Sequence, residues 1–162
     1  MRITIVSLLS FFLCYLIYLS IYLSATTGKC LEDQQSLLIQ LKNNLTFEPE
    51  NSSKLKLWNQ SIECCNWRGV TCDDEGRVIG LDLSGELIGG GFDDSSVVFS
   101  LQHLQKLNLA DNNFSSVVPS GFNKLENLTY LNLSCAGFVG QIPIEISQMT
   151  RLVTLDISSL SS

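Results

Sequence analysis

Moved along by 24 residues, the second half of this chain falls on itself. Leu101, Leu104, Leu107, Leu109, Phe114 and Pro119 recur as Leu125, Leu128, Leu131, Leu133, Phe138 and Pro143. A further copy opens with Met149, Leu152, Leu155 and Ile157, and an earlier, longer one starts near Val78 with Leu81 and Leu83. Several positions recurring in register at that period predict a stack of coils. Each L-x-L reads as a short strand with its leucines inward and the middle residue outward. One coil cannot bury its own leucines, so stacking must do it. The expected core is Leu104, Leu107, Leu109 and Phe114, then Leu128, Leu131, Leu133 and Phe138, then Leu152 and Leu155. A long amphipathic helix fails on the regularly placed Pro and Gly. Asn112 is expected to bridge backbone groups in the turn after its strand, and Ala136 interrupts that bridge in the next repeat. Val118-Pro119 and Ile142-Pro143 build the return side of the coil. The fold class is an α/β solenoid, with about three repeats and the start of a fourth over residues 75–162.

The other end of the chain is different. Met1–Leu23 carries one charge, Arg2, ahead of an almost unbroken apolar run, and the small residues of SATTG follow. That order is a secretory signal peptide, over residues 1–28, with cleavage expected between Ser24 and Lys29. The run is long for a signal core and approaches the ~20 residues that span a bilayer, so an uncleaved anchor is the alternative. Without Arg2 the formal charge goes from −6 to −7. An acidic chain with pI near 4.6 lacks the basic face that nucleic acid requires.

In the secretory pathway, cysteines read as bridges before metal ligands. Cys30, Cys64, Cys65 and Cys72 cluster between residues 29 and 74, and Cys135 is left over. Adjacent cysteines rarely bridge each other. Two pairings remain, of which Cys30 to Cys64 with Cys65 to Cys72 is the tidier. C-C-x6-C with no histidine nearby is not a zinc spacing. Between Cys30 and Cys64, Leu37, Leu38, Leu41 and Leu45 follow helix spacing, Asp33 can cap the start, and Glu48-Pro49 ends the run. Leu55, Leu57 and Trp58 form a second short apolar element, and Trp67 is expected to cover the disulfide loop.

The run L-x-x-L-x-x-L-x-L-x-x-N-x-F-x-x-x-x-P resembles the plant extracellular leucine-rich repeat. Cys30–Asp73, ending in CCNWRGVTCD, resembles that family's N-terminal cap. LNLSCAGFVGQIPIEISQMTRLVTLDIS is similar to receptor-like proteins of the Verticillium-wilt resistance type. The resemblance implies a right-handed leucine-rich-repeat coil with parallel strands on its concave face behind a helical cap at 29–74, and the first of the two disulfide pairings. It also implies a non-enzymatic immune-receptor ectodomain, outside the cell or at the plasma membrane. Such an ectodomain senses a microbial protein or peptide ligand with a receptor-kinase partner in plant defence. The family has many more repeats, a C-terminal cap and a membrane helix. Contact with the membrane would therefore run through an uncleaved N-terminal segment or such a C-terminal helix.

The outward strand positions form columns on the concave face. One holds Gly80, Lys106, Tyr130 and Thr154; the next Asp82, Asn108, Asn132 and Asp156; a third Ser84, Ala110, Ser134 and Ser158. The candidate partner residues are Lys106, Asn108, Asp111, Tyr130, Asn132, Ser134, Thr154 and Asp156. Four strands ~4.8 Å apart and three residues deep offer on the order of 200 Å². A specific protein interface needs ~800 Å² per partner. This face therefore serves best as part of a longer one. Sequons at Asn44, Asn51, Asn59, Asn113, Asn127 and Asn132 are candidate glycan sites. His103, the sole histidine, lies between two core leucines with no oriented partner for catalysis. The acidic runs 73–75 and 93–94 lack a spaced calcium loop, and Gly89–Gly91 reads as slack in the longer first coil rather than a phosphate loop. No cofactor or metal is expected. Cys135 reads as a free thiol, an intermolecular bridge or a half-buried small residue, with the last two favoured. The alternative to a receptor segment is a short secreted repeat protein acting as decoy, scaffold or inhibitor of a foreign hydrolase. In that reading its apolar end, Leu152, Leu155, Ile157 and Leu160, docks on a partner.

Overall fold

The computed structural model describes residues 28–158 together with position 15. Apart from Tyr15, the N-terminal apolar segment read as a signal peptide or anchor lies outside the described residues, as does Leu160. Among the described residues no helix is long and apolar enough to cross a membrane.

The cap begins with helix α1 (Glu32–Asn44), which buries Gln34, Leu38 and Leu41. Asp33 lies in the first turn of α1 and does not cap it; Leu31 occupies the cap position without a side-chain bond. Two 3₁₀ turns follow, Leu55–Leu57 and Cys64–Asn66. Leu55 and Trp58 are buried, whereas Leu57 is 52% exposed, because a three-residue turn points neighbouring side chains in different directions. Trp58 and Trp67 stack with centroids 5.1 Å apart, and their indole N–H groups donate to the carbonyls of Arg68 and Ile62. Cys30 is bonded to Cys64 and Cys65 to Cys72, so one dipeptide ties the start of the cap and a short loop to the same point.

That loop leads into a five-stranded sheet. Strand β1 (Val70–Cys72) pairs antiparallel with β2 (Val78–Asp82), and the repeats add β3 (Lys106–Asn108), β4 (Tyr130–Asn132) and β5 (Thr154–Asp156) in parallel order. Leu81, Leu107, Leu131 and Leu155 align across the four parallel strands. The return side is made of 3₁₀ turns at Val97–Ser100, Ser120–Lys124 and Ile144–Gln148, the last two starting after Pro119 and Pro143. Phe92, Phe99, Phe114, Phe122 and Phe138 fill the interior between sheet and return side, with contacting centroids 4.8–6.3 Å apart. Leu104, Leu107, Leu109, Leu128, Leu131 and Leu133 are at most 1% exposed. Leu152 is half-buried and Leu155 is 37% exposed, since no further coil among the described residues covers them.

At the strand exits the coils are joined by polar side chains turned inward. The Asn112 amide donates to the carbonyls of Leu83, Leu109 and Ala110 at 2.8–3.1 Å and accepts from the Ile88 N–H at 3.0 Å. Because the first coil is longer, the matching position there is Glu86, fully buried. Its carboxylate accepts the Ser52 and Ser53 hydroxyls and the backbone N–H groups of Ser53, Lys54 and Leu55. The carboxylate thus caps the Leu55–Leu57 turn and docks the cap on the first coil. Burial pushes the Glu86 carboxyl up, but these donors outweigh it and hold its pKa below the ordinary value. Gly89–Gly91 belongs to the same junction and is not slack. Gly91 has φ +83°, and a Cβ there would meet the Asn44 carbonyl oxygen, while Gly90 bridges Thr46.

Three outcomes are expected in denaturant melts. Glu86→Gln should lose about 1–3 kcal/mol at pH 7, the cost of leaving buried donors badly paired. A carboxyl with a lowered folded pKa stabilises above its unfolded pKa of ~4.3 and ceases to do so as pH falls through the folded value. Wild type should therefore lose more stability than Glu86→Gln on acidification from pH 5 to 3. By contrast, Ser96→Ala should be close to neutral, because the Ser96 hydroxyl is buried without a partner.

Candidate interaction face

The parallel register sets the outward side chains in rows. Gly80, Lys106, Tyr130 and Thr154 align, and so do Asp82, Asn108, Asn132 and Asp156. Lys106 and Thr154 are exposed; Tyr130, Asn108, Asn132, Ser134 and Asp156 are half-buried. Asp111 is exposed but stands outside the columns, at the rim, where the chain leaves β3 with φ 54°. Two column members are not available to a partner. Gly80 is buried because β1 crosses beside it, and a Cβ on Gly80 would meet the Thr71 side chain. Ala110 is only 5% exposed.

The cap reaches into this face at one point. The Lys54 ammonium lies 3.0 Å from Asp82 Oδ1 and donates to the Ser84 carbonyl at 2.8 Å. Burial alone would raise the Asp82 pKa. Bonds from the Ser84 hydroxyl and N–H, with the Lys54 charge, bring it below the ordinary value. Asp156 is lowered by the N–H and hydroxyl of Ser158. Asn108 and Asn132 repeat the same local pattern, accepting the N–H of Ala110 and Ser134 two residues on. The acidic and amide column thus braces the strand exits. The column of Lys106, Tyr130 and Thr154 is left to face solvent.

Between β1 and β4 this arrangement leaves a depression of ≈ 570 Å³. Thr71, Gln105, Lys106 and Tyr130 line it beside apolar atoms of Val70 and Ile79. Thr71 and Gln105 were not among the residues expected from the columns. Thr71 comes from the antiparallel strand of the disulfide loop, outside the repeat period, and Gln105 from the turn before β3. The depression beside Gly80, not Gly80 itself, is where a side chain from a partner can enter.

The remaining sequence candidates are dispersed. His103 is exposed on the turn before β3. In the acidic runs, Arg77 pairs with Asp73 and Glu75, and Asp94 accepts the Gly121 N–H and Ser120 hydroxyl, joining two return turns. Cys135 is exposed rather than half-buried. It occupies a left-handed position, φ 51°, equivalent to Gly85 and Asp111, and that backbone turns its side chain out of the coil.

Comparison with known proteins agrees with this architecture. Residues 31–73 match the leucine rich repeat N-terminal domain, and residues 93–135 and 102–159 match the leucine rich repeat. Receptor-like protein 6 of Arabidopsis thaliana is 40% identical over 154 residues, covering 85% of this chain and 16% of the relative. The chain spans less than a fifth of the length of the curated relatives it matches. A plant ice-binding protein superposes with TM-score 0.72 at 26% identity, covering 83% of this chain and 42% of that one. The ectodomain of the Arabidopsis receptor kinase HAESA, solved with an IDA peptide hormone ligand, superposes with TM-score 0.63 at 28% identity. That match covers 77% of this chain and 20% of the ectodomain.

Treating the folded, secreted chain with iodoacetamide should alkylate Cys135 and leave Cys30, Cys64, Cys65 and Cys72 unmodified. Peptide mapping by mass spectrometry reads this directly. Label on any of the four would mean that the cap bridges are open.

Proposed function

Because this chain belongs to the leucine-rich-repeat family, as a relative of the plant receptor-like proteins, we propose that it is a non-enzymatic extracellular recognition module. In this reading its concave face contributes to binding a protein or peptide ligand in plant defence, with a receptor kinase as signalling partner. The observation that carries the reading is the in-register column of Lys106, Tyr130 and Thr154, continued at one end by the depression beside Gly80. Its side chains offer a cation, an aromatic ring and a hydroxyl. An extended peptide laid across parallel strands meets one such group per strand, ~4.8 Å apart. Two disulfides in the cap fit an oxidising, extracytoplasmic setting. Ice binding by one structural neighbour shows that the coil alone does not define a ligand, so the argument rests on the face.

The four-strand face is small against the ~800 Å² of a specific protein interface, so its affinity for a full protein ligand should be weak unless more surface is engaged. Short peptides are the fitting probe. The test selects binders to the secreted chain from a random peptide library and measures their affinity for variants. Tyr130→Ala combined with Lys106→Glu should weaken selected peptides at least about tenfold. Glu126→Ala, outside the columns, should change nothing. Peptides that bind both variants as well as wild type would move the recognition surface elsewhere.

A further inference from the structure

The six sequons divide into two sets by one structural property. In Asn59, Asn127 and Asn132 the side-chain Nδ2, the atom to which an N-linked sugar is joined, already donates a hydrogen bond. Its acceptors are the Leu57 carbonyl at 3.0 Å, the Gln102 carbonyl at 2.8 Å and the Tyr130 hydroxyl at 3.3 Å. Asn127 is also held from the other side, its Oδ1 accepting from Arg151 of the next coil at 2.6 Å. Among the described residues, Asn44, Asn51 and Asn113 make no Nδ2 bond; these three and Asn59 are exposed, whereas Asn127 and Asn132 are half-buried. The Ser115 hydroxyl bonds Asn113 through Oδ1 and leaves Nδ2 free.

The free set is also grouped in space. All three lie along the chain segment 86–91, where the first coil leaves its strand. The Asn44 carbonyl abuts Gly91, Ser52 next to Asn51 donates to Glu86, and the Asn113 N–H donates to the Ile88 carbonyl at 2.8 Å. Asn127 sits on the opposite flank, before β4, and Asn132 within β4 on the concave face.

We propose that Asn44, Asn51 and Asn113 are the glycosylated positions of this chain and make the strand-exit flank a sugar-covered surface. Asn127 and Asn132 stay bare. In each transfer a lipid-linked oligosaccharide diphosphate supplies the sugar. The bond from the anomeric carbon to Nδ2 forms as the bond to the diphosphate breaks, and Nδ2 gives up one proton. Transfer precedes folding, so selection acts afterwards. A sugar on Asn127 crowds the Gln102 and Arg151 contacts that join three coils, and one on Asn132 displaces the Tyr130 hydroxyl. Such chains fold less well and are under-represented in the secreted protein. The inference rests on the extracellular reading above, and it deepens it: with one flank covered, partners reach the molecule through the concave face and the strand-start flank.

The experiment secretes the full chain from plant cells, releases N-glycans enzymatically in heavy-oxygen water and maps the converted asparagines by mass spectrometry. Label is expected at Asn44, Asn51 and Asn113 in most molecules, and at Asn127 and Asn132 in few. The N44Q/N51Q/N113Q variant should lose most of its glycan mass; N127Q/N132Q should keep it. Label in most molecules at Asn127 or Asn132, or its absence from any one of Asn44, Asn51 and Asn113, overturns the assignment and leaves the extracellular reading standing. A chain that stays inside the cell without any N-glycan overturns both.

Discussion

At the exits of β2, β3 and β4 the chain turns through a left-handed residue, Gly85, Asp111 or Cys135, and sends the next side chain into the seam between coils. What that side chain does governs everything stacked on it. Backbone carbonyls and N–H groups at this turn are cut off from water, and an unpaired one is costly. Asn112 answers with one amide serving both sides of the seam. Ala136 cannot, and there the seam closes by backbone bonds alone, Phe114 and Ser115 donating to Ala136 and Gly137. In the first coil Glu86 holds the cap rather than another coil. The position thus changes its chemistry with its neighbour while the apolar interior stays constant.

This explains what could be read from the residues and what could not. The leucines are legible because their environment repeats: every coil sees the same two neighbours, so the same side chain recurs after 24 residues. The strand columns follow from that period and from alternation along the strand. Glu86 escaped notice for two reasons. The longer first coil takes it out of the 24-residue register, and its donors come from Ser52–Leu55, more than 30 residues earlier. Gly89–Gly91 looked like slack because a close approach between distant segments leaves no periodic trace. The exposure of Cys135 was hidden in a backbone angle that only glycine, asparagine and aspartate advertise.

The concave face shows the same division. Lys106, Tyr130 and Thr154 could be placed from periodicity. That Gly80 is covered could not, because it depends on β1 running antiparallel out of a disulfide loop. The cap therefore does more than close an apolar end. Through Thr71 it adds a row to the sheet, and through Lys54 it neutralises the first acidic group of the adjoining column. The side chains left free at the cap end are a cation, an amide and a ring, set around an apolar floor.

The seam at Glu86 also bears on how such a molecule can change length over generations. Unequal exchange between genes adds or deletes whole 24-residue units, and inside the regular region the product still stacks, because each coil asks only for a neighbour like its own. The first coil is exempt from this freedom. A second copy of it, inserted downstream, would carry its carboxylate into a seam without Ser52–Leu55, an uncompensated buried charge. Duplication and loss are tolerated beyond β3, and the junction of cap and first coil is inherited as one block.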